Sequence, residues 1–475
     1  MNKWVKNIFL TGTALYSVGF FHLFLTGSLF YFGEAVSYEG FMRMLLGLPF
    51  ATLPNELPLS LTPYSPLFLL PVTLIGKLFH ITSIDKAMIL ARVYQAILLV
   101  ILFFSLNRIR KHFFPLISSG PSFLIACGLL FFYSPAMELA LRPDTISFLC
   151  ECWAMAFILS FLKTNQNRFL LLASLCFSSA IAFKLNTLGC FVGTLGFLFF
   201  SRDWGSFLKL SVSTLVLTLL FLASHQLALG DAFSQNILVS IQSQLWHLAA
   251  AVEVYVKVFD LLLLPLSVYF FLIFWGIQSF EDKQQAHLFT WALGTSFGLA
   301  FLSQMKWGAF HNYFLGALYL GLIPASCGIY RMAQVAKKAT YLGLGSLMIL
   351  FMVRGLSIPS KIWLDKRYFL ELTRLQELVS EKVPQGFIYS NDEKIKVGFT
   401  GKSVLGVLTE ELLWTTPKLK ALIPQVKEAV KTTGRPQAFI TLCSESPSPD
   451  WGFSNAETWE KIQTGRYCLF THANQ

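Results

Sequence analysis

The sequence predicts an all-α polytopic membrane bundle that ends in a small α/β domain outside the membrane. Three observations lead there. Of the 475 residues, 55% are hydrophobic and only 13% are charged, against roughly 25% charged in soluble domains. Apolar runs recur from Phe9 to Leu356, and lipid is the solvent in which so many need no burial in protein. Charge and amphipathic pattern return only after about Ser357. The mean hydropathy of +0.58 agrees, as do the 47 Phe.

A net charge of +11 does not mark a nucleic-acid partner here. The basic residues sit in short clusters between apolar runs rather than in one stripe, as positive-inside topology requires. Of the 8 Cys, those in apolar segments read as small buried hydrophobes, and Cys150 with Cys152 lacks the two-residue spacer of a redox or zinc pair. Lys3 and Lys6 lead into an apolar run from Phe9 to Phe32. It is too long for a signal-peptide core and reads as the first span.

Further spans are expected near Ala87 to Leu106, Pro115 to Tyr133, Ile146 to Leu162, Phe169 to Phe183, Leu188 to Phe200 and Leu210 to Leu227. Others follow near Phe259 to Ile277, Leu288 to Leu302, Tyr313 to Tyr330 and Tyr341 to Leu356, roughly eleven in all. Tyr64 to Phe79 is short and opens on Pro63, Pro66 and Pro71, so it reads as an interfacial or re-entrant helix. Counting it out puts Arg108, Arg110 and Lys111, Lys163 with Arg168, and Arg331 with Lys337 and Lys338 on the cytoplasmic side. The N-terminus is then cytoplasmic in a plasma (inner) membrane, and the loops richest in polar residues share the external face.

Residues 1–356 are expected to form the membrane domain and 357–475 the extracytoplasmic one. In the latter, Tyr368 to Val383 and Glu410 to Val430 are amphipathic, while Gly386 to Tyr389, Ala438 to Leu442 and Tyr467 to Phe470 read as strands. Cys443 and Cys468 at strand ends are either a disulfide or two buried thiols.

Candidate chemistry lies on the external face. Directly after the first span comes an open loop carrying Glu34, Tyr38 and Arg43. A carboxylate held there can act as a base or bind a hydroxyl or metal, with an ordinary solvated side chain as the plain alternative. Asp144 follows Arg142-Pro143 at the start of a span, where a helix N-terminus favours an anion. Glu151, seven residues on, shares its face inside the apolar segment, and an intramembrane carboxylate is a functional candidate or the partner of a neighbouring cation. Lys184 and Lys306 sit at external helix ends, suited to a phosphate or to snorkelling. His22, also intramembrane, reads as a hydrogen-bonding group between helices.

In their order these motifs resemble the GT-C membrane glycosyltransferases, in the bacterial branch of protein O-mannosyltransferases and lipid A aminoarabinose transferases. The resemblance spans most of the membrane region. It rests on Glu34 with Tyr38 and Arg43, on Tyr64-Ser65-Pro66-Leu67, on Arg142-Pro143-Asp144, on Lys184, and on Gly308 to Phe314 with His311, Asn312 and Tyr313. Ile388 to Asp392 and Thr400-Gly401-Lys402 are similar to the external domains of such proteins. One departure is Ala35, where the family carries a second acid after the first. A divalent metal at this site is therefore not favoured, and no cofactor is assigned.

The resemblance implies inverting transfer of a sugar from a polyprenyl-phosphate lipid to a lipid, glycan or protein acceptor on the external face. It implies Glu34 and Asp144 as catalytic carboxylates and Arg142, Lys184 and Lys306 as donor phosphate ligands. Tyr38, Arg43, Tyr64, Glu151, His311, Asn312 and Tyr313 would position substrate. A secondary transporter of a small solute is the rival reading, although duplicated halves are not evident. A non-catalytic lipid-handling membrane protein is the third.

Overall fold

In the computed structural model the residues described are 32–50, 52, 65–131, 141–184, 187–234, 267–303, 311–362, 367–383, 387–390, 396, 399–400, 403, 423–433, 437–444, 459–465 and 467–472. The expected first span, with His22, lies outside them.

Helix α1 (Phe32–Leu45) occupies the stretch that the sequence reading leaves as an open loop. Tertiary packing overrides local signals here, since Val36, Tyr38, Phe41, Met42 and Arg43 are all buried. Gly40 lets the ring of Phe50 approach; a Cβ there would lie 2.7 Å from it. A 3-10 turn (Pro66–Phe68) capped by Ser65 then leads into α2 (Leu70–Leu78). At about 14 Å this helix is too short to cross a bilayer. Leu74, Leu78 and Phe79 remain exposed along it, as suits a helix lying at an interface.

The bundle continues with α3 (Ile84–Phe113), α4 (Gly120–Phe131), α5 (Asp144–Thr164), α6 (Asn167–Phe183), α7 (Gly189–Phe200) and α8 (Trp204–Leu229). Three stretches among the described residues are long and apolar enough to cross a membrane: Lys86–Phe113, Asp144–Thr164 and Trp204–Leu229. Helix α8 leaves Leu208, Val212, Leu215, Val216, Leu219 and Leu220 exposed, an apolar face that matches lipid rather than water. Next come α9 (Ser267–Gln278), α10 (Lys283–Ser303), a 3-10 turn (His311–Phe314), α11 (Leu315–Leu320) and α12 (Leu322–Ile362). Helix α12 breaks at Ala336, whose backbone is non-helical, between Arg331 and Lys337.

Glycines set the closest helix approaches. A Cβ on Gly276 of α9 would lie 1.7 Å from the Pro324 carbonyl oxygen, and one on Gly328 would lie 2.2 Å from that of Leu272. On α7, a Cβ at Gly193 would meet Thr295 Oγ1 at 2.3 Å and the Trp291 carbonyl at 2.5 Å. Small residues at such crossings let backbones pack where lipid gives no hydrophobic drive.

After α13 (Arg367–Lys382) the chain forms β1 (Ile388–Ser390), α14 (Ile423–Thr433), β2 (Ala438–Leu442), β3 (Trp459–Thr464) and β4 (Tyr467–His472). The strand order is β1-β2-β4-β3. The parallel β1/β2 pair needs a crossover, and α14 lies within it. Gly465, at φ 63°, opens the tight connection from β3 to β4. Strand β3 is absent from the sequence reading because its residues Trp459-Glu460-Lys461-Ile462-Gln463-Thr464 are largely polar and it lies at the sheet edge. Cys443 and Cys468 form a disulfide with Cα atoms 4.9 Å apart. One hydrophobic cluster joins residues of α1 to α3 with those of α13, α14 and the sheet, so these elements share one end of the bundle.

Candidate active site

Asp144 is the first residue of α5, behind Pro143. Proline fixes the entry angle and the free N–H groups of the first turn favour an anion. The α5/α6 hairpin brings the far end of α6 back beside it, and Ser147 Oγ donates to the Ala180 carbonyl at 3.3 Å. Lys184, the C-cap of α6 in extended conformation, thereby places its Nζ 2.5 Å from Asp144 Oδ1. Arg142 Nε lies 3.1 Å from Asp144 Oδ2. The three side chains are at most 9% exposed, so this is a buried cation–carboxylate–cation bridge rather than a surface pair. Burial pushes the Lys184 ammonium below the usual lysine range, Asp144 pulls it back up, and Arg142 lowers it further.

Below the bridge lies a cavity of about 40 Å³ whose lining includes Lys184, Glu151, Thr187, Ser296, Ser303 and Tyr313. That volume has room for a few water-sized groups. Tyr313 presents its ring to Lys184 Nζ, 5.0 Å from the centroid, in a cation–π contact. Glu151 is two turns below Asp144 on α5 and 7% exposed. It lines the cavity together with Gly189 of the first turn of α7. Gly316 of α11 gives it room: a Cβ there would sit 3.5 Å from Glu151 Oε2 and 2.7 Å from the Phe148 ring. Gly189, where a Cβ would meet the Ser296 backbone at 2.5 Å, seats α7 against α10 at the same level.

The structure thus brings together Arg142, Asp144, Glu151, Lys184 and Tyr313. Tyr38 and Arg43 serve the packing of α1: the Tyr38 hydroxyl donates to the Ile84 carbonyl, and Arg43 Nε donates to that of Pro49 at 2.6 Å. Tyr64 and Lys306 lie outside the described residues, as do the side chains of Glu34, His311 and Asn312. Among the described residues no three His, Cys, Asp or Glu side chains gather as metal ligands.

Several supporting groups escape a sequence reading. Gln95 Nε2 donates to Thr145 Oγ1 at 2.5 Å and ties α3 to the first turn of α5. Tyr94 donates to the Phe68 carbonyl at 2.9 Å, fixing the 3-10 turn. Ser65 Oγ lies 2.9 Å from His225 Nε2, joining that turn to the end of α8. His225 Nδ1 is 2.6 Å from the Phe221 carbonyl, which suits an N–H there and an acceptor at Nε2. A polar residue within an apolar helix was the available signal, but its partner lies far away in sequence.

No protein-family model matches the chain. A search of curated proteins likewise finds no match. Solved structures do match over nearly the whole length. ArnT from Cupriavidus metallidurans, in a crystal structure bound to undecaprenyl phosphate, aligns with a TM-score of 0.66 at 12% identity, covering 97% of each chain. Its apo structure aligns with a TM-score of 0.65 at 13% identity, covering 98% of each. At such identity the likeness speaks for architecture alone. The apolar helices and these full-length matches lead to one conclusion: the chain has the fold of ArnT, an apolar helical bundle in which three helices among the described residues are long and apolar enough to cross a membrane.

Proposed function

We propose that this chain is an inverting membrane glycosyltransferase. It would move a sugar from a polyprenyl-phosphate donor to a lipid, glycan or protein acceptor on the external face of the plasma (inner) membrane. In that topology the N-terminus is cytoplasmic and residues 357–475 lie outside. The observation that carries the reading is the buried Arg142–Asp144–Lys184 bridge, set at the helix ends of a fold whose neighbour ArnT binds undecaprenyl phosphate.

Charge on the leaving phosphate grows as the glycosidic bond breaks, and preorganised cations lower that barrier. Lys184 and Arg142, with Lys306, supply them. Asp144 holds both cations in place before substrate arrives. Protonating it would break both ion pairs, so Glu34 is the better base for the acceptor hydroxyl, and Asp144 positions the phosphate ligands. Tyr313 orients Lys184 through its ring. Tyr38 and Arg43 act through the seating of α1, the helix that carries Glu34.

Purified protein in proteoliposomes, given radiolabelled polyprenyl-phosphate sugars and acceptor lipids, is expected to transfer label. Glu34→Ala and Asp144→Asn are each expected to abolish transfer while the folded protein is recovered. Full activity in both variants would refute the assignment. Uptake of a solute without any transfer would replace it with the transporter reading.

A further inference from the structure

Helices α9 and α12 meet backbone to backbone at Gly276 and Gly328. Beside that crossing they leave a groove of about 420 Å³, a volume within the range of ligand pockets. Phe271 of α9 lines it with Met332, which precedes the break at Ala336, and with Thr340, Gly343 and Leu344, which follow it. The groove therefore spans the break in α12. Phe271 is 49% exposed and Gly343 is exposed too, so the groove opens sideways, where the membrane topology puts lipid. A Cβ on Gly343 would meet nothing within 4 Å, so this glycine is not there to seat a neighbouring helix.

Charge narrows the choice of lipid. Two exposed cations flank the break, Arg331 beside Met332 and Lys337 two residues before Ala339, another lining residue. Arg331 lies 5.5 Å from the Trp275 ring, and among the described residues neither cation is held in an ion pair. Positive-inside topology accounts for cations at this end, but not for an apolar groove beside them. Apolar space next to a fixed pair of cations matches a lipid with an anionic head group. The sugar donor is a poorer fit, because its proposed phosphate ligands Arg142 and Lys184 belong to the other end of the bundle.

We propose that this groove binds one anionic glycerophospholipid of the cytoplasmic leaflet, with an acyl chain along Phe271, Gly343 and Leu344 and its phosphate on Arg331 and Lys337. The site uses the topology given above and is independent of the glycosyl-transfer reading.

The test titrates the full-length protein in detergent with phosphatidylglycerol, or with phosphatidylcholine of the same chains, and counts bound lipid by native mass spectrometry. Phosphatidylglycerol is expected to bind at least about fivefold more tightly, the effect of roughly one cation near a membrane surface. Arg331→Gln combined with Lys337→Gln should bring it down to the phosphatidylcholine level. Gly343→Leu puts a side chain into the groove and improves helix propensity. It should keep the melting temperature of wild type while weakening both lipids by about tenfold; Ala339→Leu is the second groove-filling change should the first lower the melting temperature.

Equal affinity for the two lipids would overturn the proposal, and so would a preference that survives the double cation variant. Binding unaffected by both groove-filling changes would place the acyl chain elsewhere and overturn it as well. Undecaprenyl phosphate bound more tightly than phosphatidylglycerol, and lost on filling the groove, would give the groove to the donor lipid instead.

Discussion

The two ends of the bundle carry the same cations in different company. At one end Arg110 donates to Asn107 Oδ1 at 2.8 and 3.1 Å and to Ser118 Oγ at 3.0 Å. Its guanidinium also lies 5.7 Å from the Phe123 ring. Nearby, Arg168 covers Phe169 at 5.0 Å, Arg331 covers Trp275 at 5.5 Å, and Lys209 meets Asn167 at 3.1 Å. These partners are amides, hydroxyls and rings, which satisfy a cation without cancelling its charge. At the other end Arg142 and Lys184 are buried on a carboxylate. Uncancelled charge is what topology needs. Cancelled, buried charge costs desolvation that topology does not require, and the proposed phosphate site is what would explain it.

The sharpest way to break this contrast is Asp144→Ala, which strands two cations in a site at most 9% exposed. Removing one partner of a buried ion pair costs on the order of 3–5 kcal/mol. Thermal melting in detergent should show the largest loss of any single change considered, and Asp144→Asn should recover part of the stability but none of the transfer. A melting temperature unchanged by Asp144→Ala would mean the bridge is not buried in the protein as it exists.

Next in size is Gly193→Val on α7. Its Cβ would fall among Thr295, Trp291 and Ala292 of α10 at 2.3–2.6 Å, and overpacking of this kind costs about 1–3 kcal/mol. Because α7 and α10 both line the cavity, lipid-phosphate affinity should fall together with melting temperature. Loss of stability with affinity intact would detach the cavity from the phosphate site. Smallest is Arg168→Ala at the opposite end. It should change stability by less than about 1 kcal/mol and leave affinity unaltered, while topology reporters respond to the lost positive charge.

How much of this is legible in sequence follows from the range of each interaction. Asp144 and Lys184 were readable because Pro143 marks a helix start and because a lysine at a span end contradicts positive-inside bias. Their pairing was not, since it depends on how α5 and α6 fold back. Helix α1 read as a loop because Gly33 and Gly40 weaken its local helix signal, whereas packing of Phe41 and Phe50 decides the matter. Strand β2 covers Ala438–Leu442, the same residues that its apolar run marks. Strand β3 exists only because β4 pairs with it, and nothing in its polar composition announces that. Gln95 and Thr145 are 50 residues apart, so neither reveals the other.

The most direct test is a structure of the protein with undecaprenyl phosphate bound. The lipid phosphate is expected where Asp144 of α5 and Lys184 of α6 meet, within hydrogen-bond distance of Lys184 Nζ, with its tail in the apolar bundle. A phosphate seated instead among Arg110, Arg168 or Arg331, with the Arg142–Asp144–Lys184 bridge unchanged and sealed, would contradict it.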